Sequence, residues 1–133
     1  MLKSLAKHAD TGLLILRVGI GIMFLYHGFP KLFGGPEKWG KLGIAAKYVG
    51  IDIFPVFWGF MAAFSEFFGG TCIILGLFFR PACILLTITM AVAASMHLGK
   101  GDGLNVASHA IEDGILFLSL IFIGPGRYSI DRK

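Results

Sequence analysis

Apolar residues fall in four long runs, separated by short breaks that are polar or rich in glycine and proline. The first run covers residues 12–33, long enough to cross about 30 Å of hydrocarbon as a helix. The second covers residues 54–79. It exceeds the need of a single span, so its start lies in the interface or its helix tilts. Arg80 and Pro81 then read as a tight turn, because proline cannot continue a helix and restricts the residue before it. The third run covers residues 82–98, and a glycine-rich break at 99–103 follows. The fourth run, residues 104–124, is the least apolar, since it holds His109, Glu112 and Asp113. Gly124, Pro125 and Gly126 close it, and a short polar tail follows. This pattern predicts an all-α, polytopic membrane protein: one domain over residues 1–133, an antiparallel four-helix transmembrane bundle.

The stretch between the first two runs, residues 34–53, is mixed. Pro36 suits the first position of a short helix. On a helical wheel Trp39, Leu42, Ala46 and Val49 share one side, while Glu37, Lys38 and Lys41 lie mainly on the other. A tryptophan on the apolar side of such a helix fits the membrane interface. The competing reading is an ordinary extramembrane loop.

Composition agrees with the pattern. The chain has 133 residues, 56% of them hydrophobic and 15% charged. A soluble domain of this size cannot hide that much apolar surface and still show a charged exterior. Intrinsic disorder is excluded, because it requires low hydrophobicity. The net charge is +4, but Lys and Arg are scattered between apolar runs and form no stripe, which argues against nucleic acid as a partner. The lipid bilayer is the partner that composition demands. The first run resembles a signal peptide in following Lys3 and Lys7. It is long, carries Arg17 and is followed by no small-residue cleavage site, so a retained helix is expected. Cys72 and Cys83 sit inside apolar runs without metal-binding spacing and read as apolar filler, with a disulfide or redox pair as the minority case.

Four spans place both termini on one side. Lys3, Lys7, Arg80, Arg127, Arg132 and Lys133 fall there, against Lys31, Lys38, Lys41, Lys47 and Lys100 on the other. The balance is near even, and the lysines ahead of the first span tip it towards cytoplasmic termini.

The candidate chemistry lies inside the spans. An ionisable group at the middle of a membrane helix costs about 2.5–3.5 kcal/mol on insertion scales. Seven occur here: Arg17, His27, Glu66, His97, His109, Glu112 and Asp113. At about 1.5 Å per residue, His27, Glu66 and His97 lie roughly 21–22 Å from the terminal face, Glu112 roughly 18 Å, and His109 about one turn farther. Four helices therefore offer polar groups to one layer, in the half of the bilayer away from the termini. Small residues around Glu66 (Gly59, Ala62, Ala63, Gly69 and Gly70) let a neighbouring helix approach. His109 can meet Glu112 or Asp113 on one helix face. The layer reads as a pocket for a small ligand or a proton relay. The alternatives are a structural hydrogen-bond network and, for His27, His109 and Asp113, solvation at the interface. Arg17, only about 7 Å deep, has the alternative of snorkelling to the near face. Three histidines and three acids invite a metal, but no tight ligand motif is present, and none is assigned.

An ordered set of motifs runs through the chain: Leu16-Arg17, Gly21, Phe24, His27-Gly28 and Lys31-Leu32 in the first span; Glu66, Gly69-Gly70, Leu75, Gly76-Leu77 and Arg80 around the second; Gly124-Pro125-Gly126-Arg127-Tyr128-Ser129-Ile130-Asp131 at the end. The set resembles the DoxX family of small four-helix membrane proteins, from about Leu13 to Asp131. The resemblance implies a prokaryotic cytoplasmic (inner) membrane and a link to quinone redox systems. The family name comes from a terminal quinol oxidase system, a related member belongs to a thiosulfate:quinone oxidoreductase, and another to a membrane complex handling thiol and oxidative stress. The family's polar landmarks fall on Arg17, His27, Lys31, Glu66 and Arg80, with a further acid near Glu112.

The resulting expectation is an integral membrane subunit of a quinone-linked redox system. His27 and His97 would hydrogen-bond a quinone carbonyl, Glu66 and Glu112 would exchange protons, and Arg17 would balance charge or anchor the interface. The chain encodes no redox centre of its own, so electrons would require a partner redox subunit or a bound cofactor, quinone being the candidate. A homo-oligomer is the alternative assembly. Transport of a small molecule or protons, and non-catalytic scaffolding, are the rival functions.

Overall fold

The computed structural model describes residues 2–131. Helical turns at Leu2–Leu5 and Ala6–His8 lead into α1, Ala9–Leu32. A short helix α2, Pro36–Gly43, follows and continues into a 3-10 turn, Ile44–Val49. Then come α3, Pro55–Leu75; α4, Phe79–Gly99; and α5, Leu104–Ile123. Four helices are long and apolar enough to cross a membrane. The expected all-α architecture and the short helix between the first two spans are both present. Arg132 and Lys133, counted above among the charges on the terminal side, lie outside the described residues.

The helix ends explain two shifted boundaries. The turn expected at Arg80 and Pro81 lies earlier, at residues 76–78. Gly76 takes the left-handed conformation (φ 65°) and its N–H bonds to Ile73 O, while Leu77 N bonds to Cys72 O. That is the glycine C-cap geometry which closes helices. Pro81 sits in the first turn of α4, where its missing N–H has no intrahelical partner to lose. Phe54 and Phe78, the residues just before α3 and α4, also adopt positive φ.

α1 packs on α3, α3 on α4, and α4 on α5. α5 meets α1 through ring pairs, Phe24 with Phe117 at 5.0 Å and His27 with His109 at 6.4 Å. The core between them is Phe24, Ile73, Phe79, Cys83, Leu86, Met90, Phe117 and Leu120. Cys83 is buried within it, and both cysteines are free thiols. α1 and α3 approach closely where both present glycine: a Cβ on Gly70 would lie 2.9 Å from Gly21 O, and one on Gly28 would lie 2.7 Å from Phe67 N.

α2 prolongs this antiparallel pairing along the first half of α3. Trp39 packs edge-on against Phe60, and its indole Nε1 donates to Lys31 O (3.0 Å) and Leu32 O (3.2 Å). These are carbonyls at the C-terminal end of α1, which lack intrahelical partners. Glu37, Lys38 and Lys41 are exposed, as an interfacial helix requires. A Cβ on Gly59 would strike the backbone of Trp39, and one on Gly43 the backbone of Pro55. Backbone cannot rotate away as a side chain can. Gly59→Val is therefore expected to undock α2 and to destabilise the protein by about 3 kcal/mol. Gly40→Ala, whose new Cβ meets only Val56 Cγ2 at 3.5 Å, is the tolerated control. Thermal unfolding in mild detergent distinguishes them, and equal midpoints would refute the close docking of α2 on α3.

Candidate functional site

Glu66 is the most deeply buried carboxylate of the spans, and Lys31 is its partner. Lys31 sits in the last turn of α1 and its side chain reaches back to α3. Lys31 Nζ donates to Glu66 Oε2 at 2.8 Å and to Oε1 at 3.1 Å. The Glu66 side chain is 6% exposed and that of Lys31 32%. Gly28 makes room for the acid, since a Cβ there would lie 3.1 Å from that of Glu66. The pair thus has a fixed inner end and a freer outer end.

The outer end opens into a groove of about 680 Å³, lined by Tyr26, His27, Phe29, Pro30, Lys31, Lys38 and Leu42. Its size lies within the range of small-molecule sites. His27, Lys31 and Lys38 bring donor groups to it, and Tyr26 and Phe29 bring exposed rings. A second groove, of about 540 Å³, is apolar throughout and lies between Trp39 and the start of α3.

His27 links the first groove to a second polar group. Its ring stands edge-on to His109 on α5, and Asp113 lies within electrostatic range of both imidazoles. Glu112 is exposed on the outer face of α5. His97 does not join this layer. Its Nδ1 lies 2.9 Å from Asp102 Oδ2, in the loop between α4 and α5, and Lys100 Nζ lies 3.5 Å from the same oxygen. The His97 hydrogen bond, with the Lys100 charge behind it, holds the Asp102 carboxyl below the usual carboxylate range. The second histidine near His27 is thus His109.

Arg17 is 1% exposed and does not snorkel. Its Nε donates to Ile73 O (3.0 Å), its Nη2 to Ile74 O (2.8 Å), and its Nη1 to Pro125 O (3.1 Å) and Tyr128 O (2.9 Å). A guanidinium has five N–H donors, so backbone carbonyls take nearly all of its capacity. The tail it grips is tied down further. Ile130 N bonds to Leu75 O and Asp131 N to Gly76 O. Asp131 Oδ2 accepts from Phe79 N at 2.8 Å and so caps α4 from outside the helix. Asp10 Oδ1 accepts from Arg127 N, and Arg80 Nε donates to Ile121 O. Arg17 and Arg80 hold the terminal end of the bundle together.

Lys31, which the resemblance places among the polar landmarks, is a groove residue that the depth argument left out of the polar layer. As the last charge of the first apolar run it reads as a span flank. The signal was its placement four residues after His27, one turn along the same face. Among the described residues, no group of three or more His, Cys, Asp or Glu side chains is placed to hold a metal ion.

The chain matches the model of the DoxX family over residues 12–98. An uncharacterized protein of Haemophilus influenzae is 32% identical, covering 99% of this chain and 97% of its own. An uncharacterized membrane protein of Mycobacterium tuberculosis is 30% identical, covering 95% of this chain and 84% of its own. The inner membrane protein YqjF of Escherichia coli is 29% identical, covering 95% and 94%. No solved structure matches.

Proposed function

This chain belongs to the DoxX family, and from that premise we propose that it is a membrane subunit of a quinone-linked redox system whose groove takes the headgroup of a lipid-soluble quinone. The observation that carries this reading is the groove beside the Lys31–Glu66 pair. It combines aromatic walls, an imidazole and an ammonium with a buried carboxylate behind them. Those residues fit a flat ring bearing carbonyl oxygens: Tyr26 and Phe29 flank it, and His27 and Lys31 supply the donors. A bound quinone supplies two-electron, two-proton chemistry, and a partner redox subunit supplies the electrons. His27 donates an imidazole N–H to a carbonyl oxygen. Lys31 Nζ would hand a proton into the groove and regain one from water at its exposed outer side, while the Glu66 carboxylate holds the ammonium in place. His109 and Asp113 hold the far side of the His27 ring and give it a polar route along α5. The inner-membrane names of Escherichia coli relatives favour the cytoplasmic membrane of a prokaryote, and the lysines ahead of α1 favour cytoplasmic termini.

Trp39 provides the test, because its indole is bonded to Lys31 O at the edge of the groove. A short-chain ubiquinone analogue is titrated into the protein in quinone-free nanodiscs, and indole quenching is followed. Saturable quenching is expected, weakened about tenfold by His27→Phe, the loss of one good hydrogen bond. Quenching that rises linearly in the wild type, or saturates identically in the variant, would remove the quinone site.

A further inference from the structure

The groove beside the Lys31–Glu66 pair carries a charge that the pair does not cancel. Lys31 and Lys38 both line it, and no carboxylate does. Glu66, behind the lining, neutralises Lys31. Lys38 enters no ion pair or hydrogen bond among the described residues. Its stem packs against Gly34, just past the end of α1. A lysine ammonium has three N–H donors. Those of Lys38 are all unused, and Lys31, having given two to Glu66, keeps one. The quinone reading makes no use of Lys38.

The groove is also ordered in depth. Lys31 lies in the last turn of α1 and Lys38 on the interfacial helix α2, so the free donors stand at the level of lipid headgroups. Tyr26 lies one and a half turns before Lys31, about 7.5 Å deeper towards the hydrocarbon. Tyr26 is 67% exposed and Phe29 56%. A ligand filling the groove therefore meets ammonium groups above and bare rings below. A phospholipid has the same order, a phosphate above an acyl chain. Charge then selects among phospholipids. A zwitterionic headgroup brings a cation of its own, and the lining offers it no carboxylate. An anionic headgroup supplies the charge that Lys38 lacks.

We propose that the mouth of this groove binds one anionic phospholipid, its phosphodiester held by Lys38 and the free N–H of Lys31 and an acyl chain laid along Tyr26 and Phe29. The phosphate accepts charge-assisted hydrogen bonds, the strong kind. The Lys31–Glu66 pair fixes one of its two donors in place, and the packing of the Lys38 stem on Gly34 restrains the other. Lys41 lies one turn along α2 and is exposed, but it does not line the groove. It adds to the attraction of the surface and not to the site. Lipid fills the groove when no quinone does. The inference itself needs no quinone, and its test contains none.

Trp39 reports on the site, because its indole is bonded to Lys31 O at the edge of the groove. The full-length protein carries Trp58→Phe, which leaves Trp39 as its one tryptophan. It is reconstituted without quinone into liposomes of phosphatidylcholine and phosphatidylglycerol, with bromine on the acyl chains of one lipid at a time. Bromine quenches an indole only at close range. Phosphatidylglycerol is expected to outcompete phosphatidylcholine at Trp39 by about fivefold, the effect of one lysine near an anionic headgroup. Lys38→Gln abolishes the preference, Lys38→Arg restores it and Lys41→Gln keeps it. Equal quenching by the two lipids would overturn the proposal. So would a preference that Lys38→Gln and Lys41→Gln reduce alike, since a diffuse surface charge then explains it.

Discussion

Arg17→Leu is expected to loosen the whole terminal end of the protein and to cost about 4 kcal/mol of stability. The guanidinium is buried and its partners are four backbone carbonyls, two at the end of α3 and two in the tail after α5. Bonds to a charged donor contribute about 1.5–3 kcal/mol each, and they do not add. Leucine fills apolar volume but leaves the Ile74, Pro125 and Tyr128 carbonyls without this donor, while Ile73 O keeps only the Gly76 N–H. Ile74 is among the last carbonyls of α3, where intrahelical N–H donors run out. A loss of this size takes a large share of the 5–15 kcal/mol that holds a typical domain. Arg17→Lys is expected to fall between, because one ammonium on a flexible stem cannot serve four acceptors spread around a planar fork. Two readouts check it: the unfolding midpoint in mild detergent, and cleavage by trypsin after Arg127. A tail that stays as resistant in Arg17→Leu as in the wild type would show that its other bonds suffice.

The spans and the interfacial helix were legible because each rests on local pattern. Four apolar runs of span length need no knowledge of the partner helix, and Pro36 with the Trp39 face reports its own amphipathicity. Helix ends were less legible. Proline at 81 is an obvious breaker in sequence, yet the helix is closed by Gly76 through carbonyls within its own last turn. The tail was invisible as structure. Its partners lie at Asp10, Arg17 and residues 75–79, over 50 residues away in sequence, and no periodicity connects such positions.

The same displaced boundary accounts for His97. Because α4 begins at Phe79 and not at Ala82, His97 lies about 27 Å along it, in its last turn. Glu66 stays level with Gly28, beside His27. His97 is thus level with the loop, where its Nδ1 pairs with the Asp102 carboxylate. His27 and His109, expected in one layer, lie ring to ring. Lys31 enters only as a landmark of the resemblance, because depth counting reads a span flank as an anchor; its stem is long enough to turn back along the helix and meet an acid about one turn deeper.

Lys31→Met and Glu66→Leu are expected to cost less together than the sum of their separate effects, with a coupling of about 4.5 kcal/mol. The two ends of the pair differ in freedom, and the single variants should differ accordingly. Glu66 is 6% exposed and hemmed in by the backbone at Gly28. When Lys31 is lost the carboxyl cannot leave, so Lys31→Met is expected to cost about 3 kcal/mol. Lys31 is 32% exposed and opens to the groove. When Glu66 is lost the ammonium can swing outward, and Glu66→Leu is expected to cost only about half as much. In the double variant neither charge is left behind, and two apolar side chains face each other across the α1–α3 contact. Buried ion pairs replaced by apolar residues of similar volume are often neutral in stability, so the double variant should lie near the wild type. A denaturation cycle in bicelles over the four proteins measures the coupling directly. Additivity within about 0.5 kcal/mol would mean that the two charges do not depend on one another, and Glu66 could then no longer hold Lys31 in place at the groove. Strong coupling with the expected asymmetry keeps them one unit, fixed at the acid and mobile at the amine, which is what presenting a positioned ammonium donor to the groove requires.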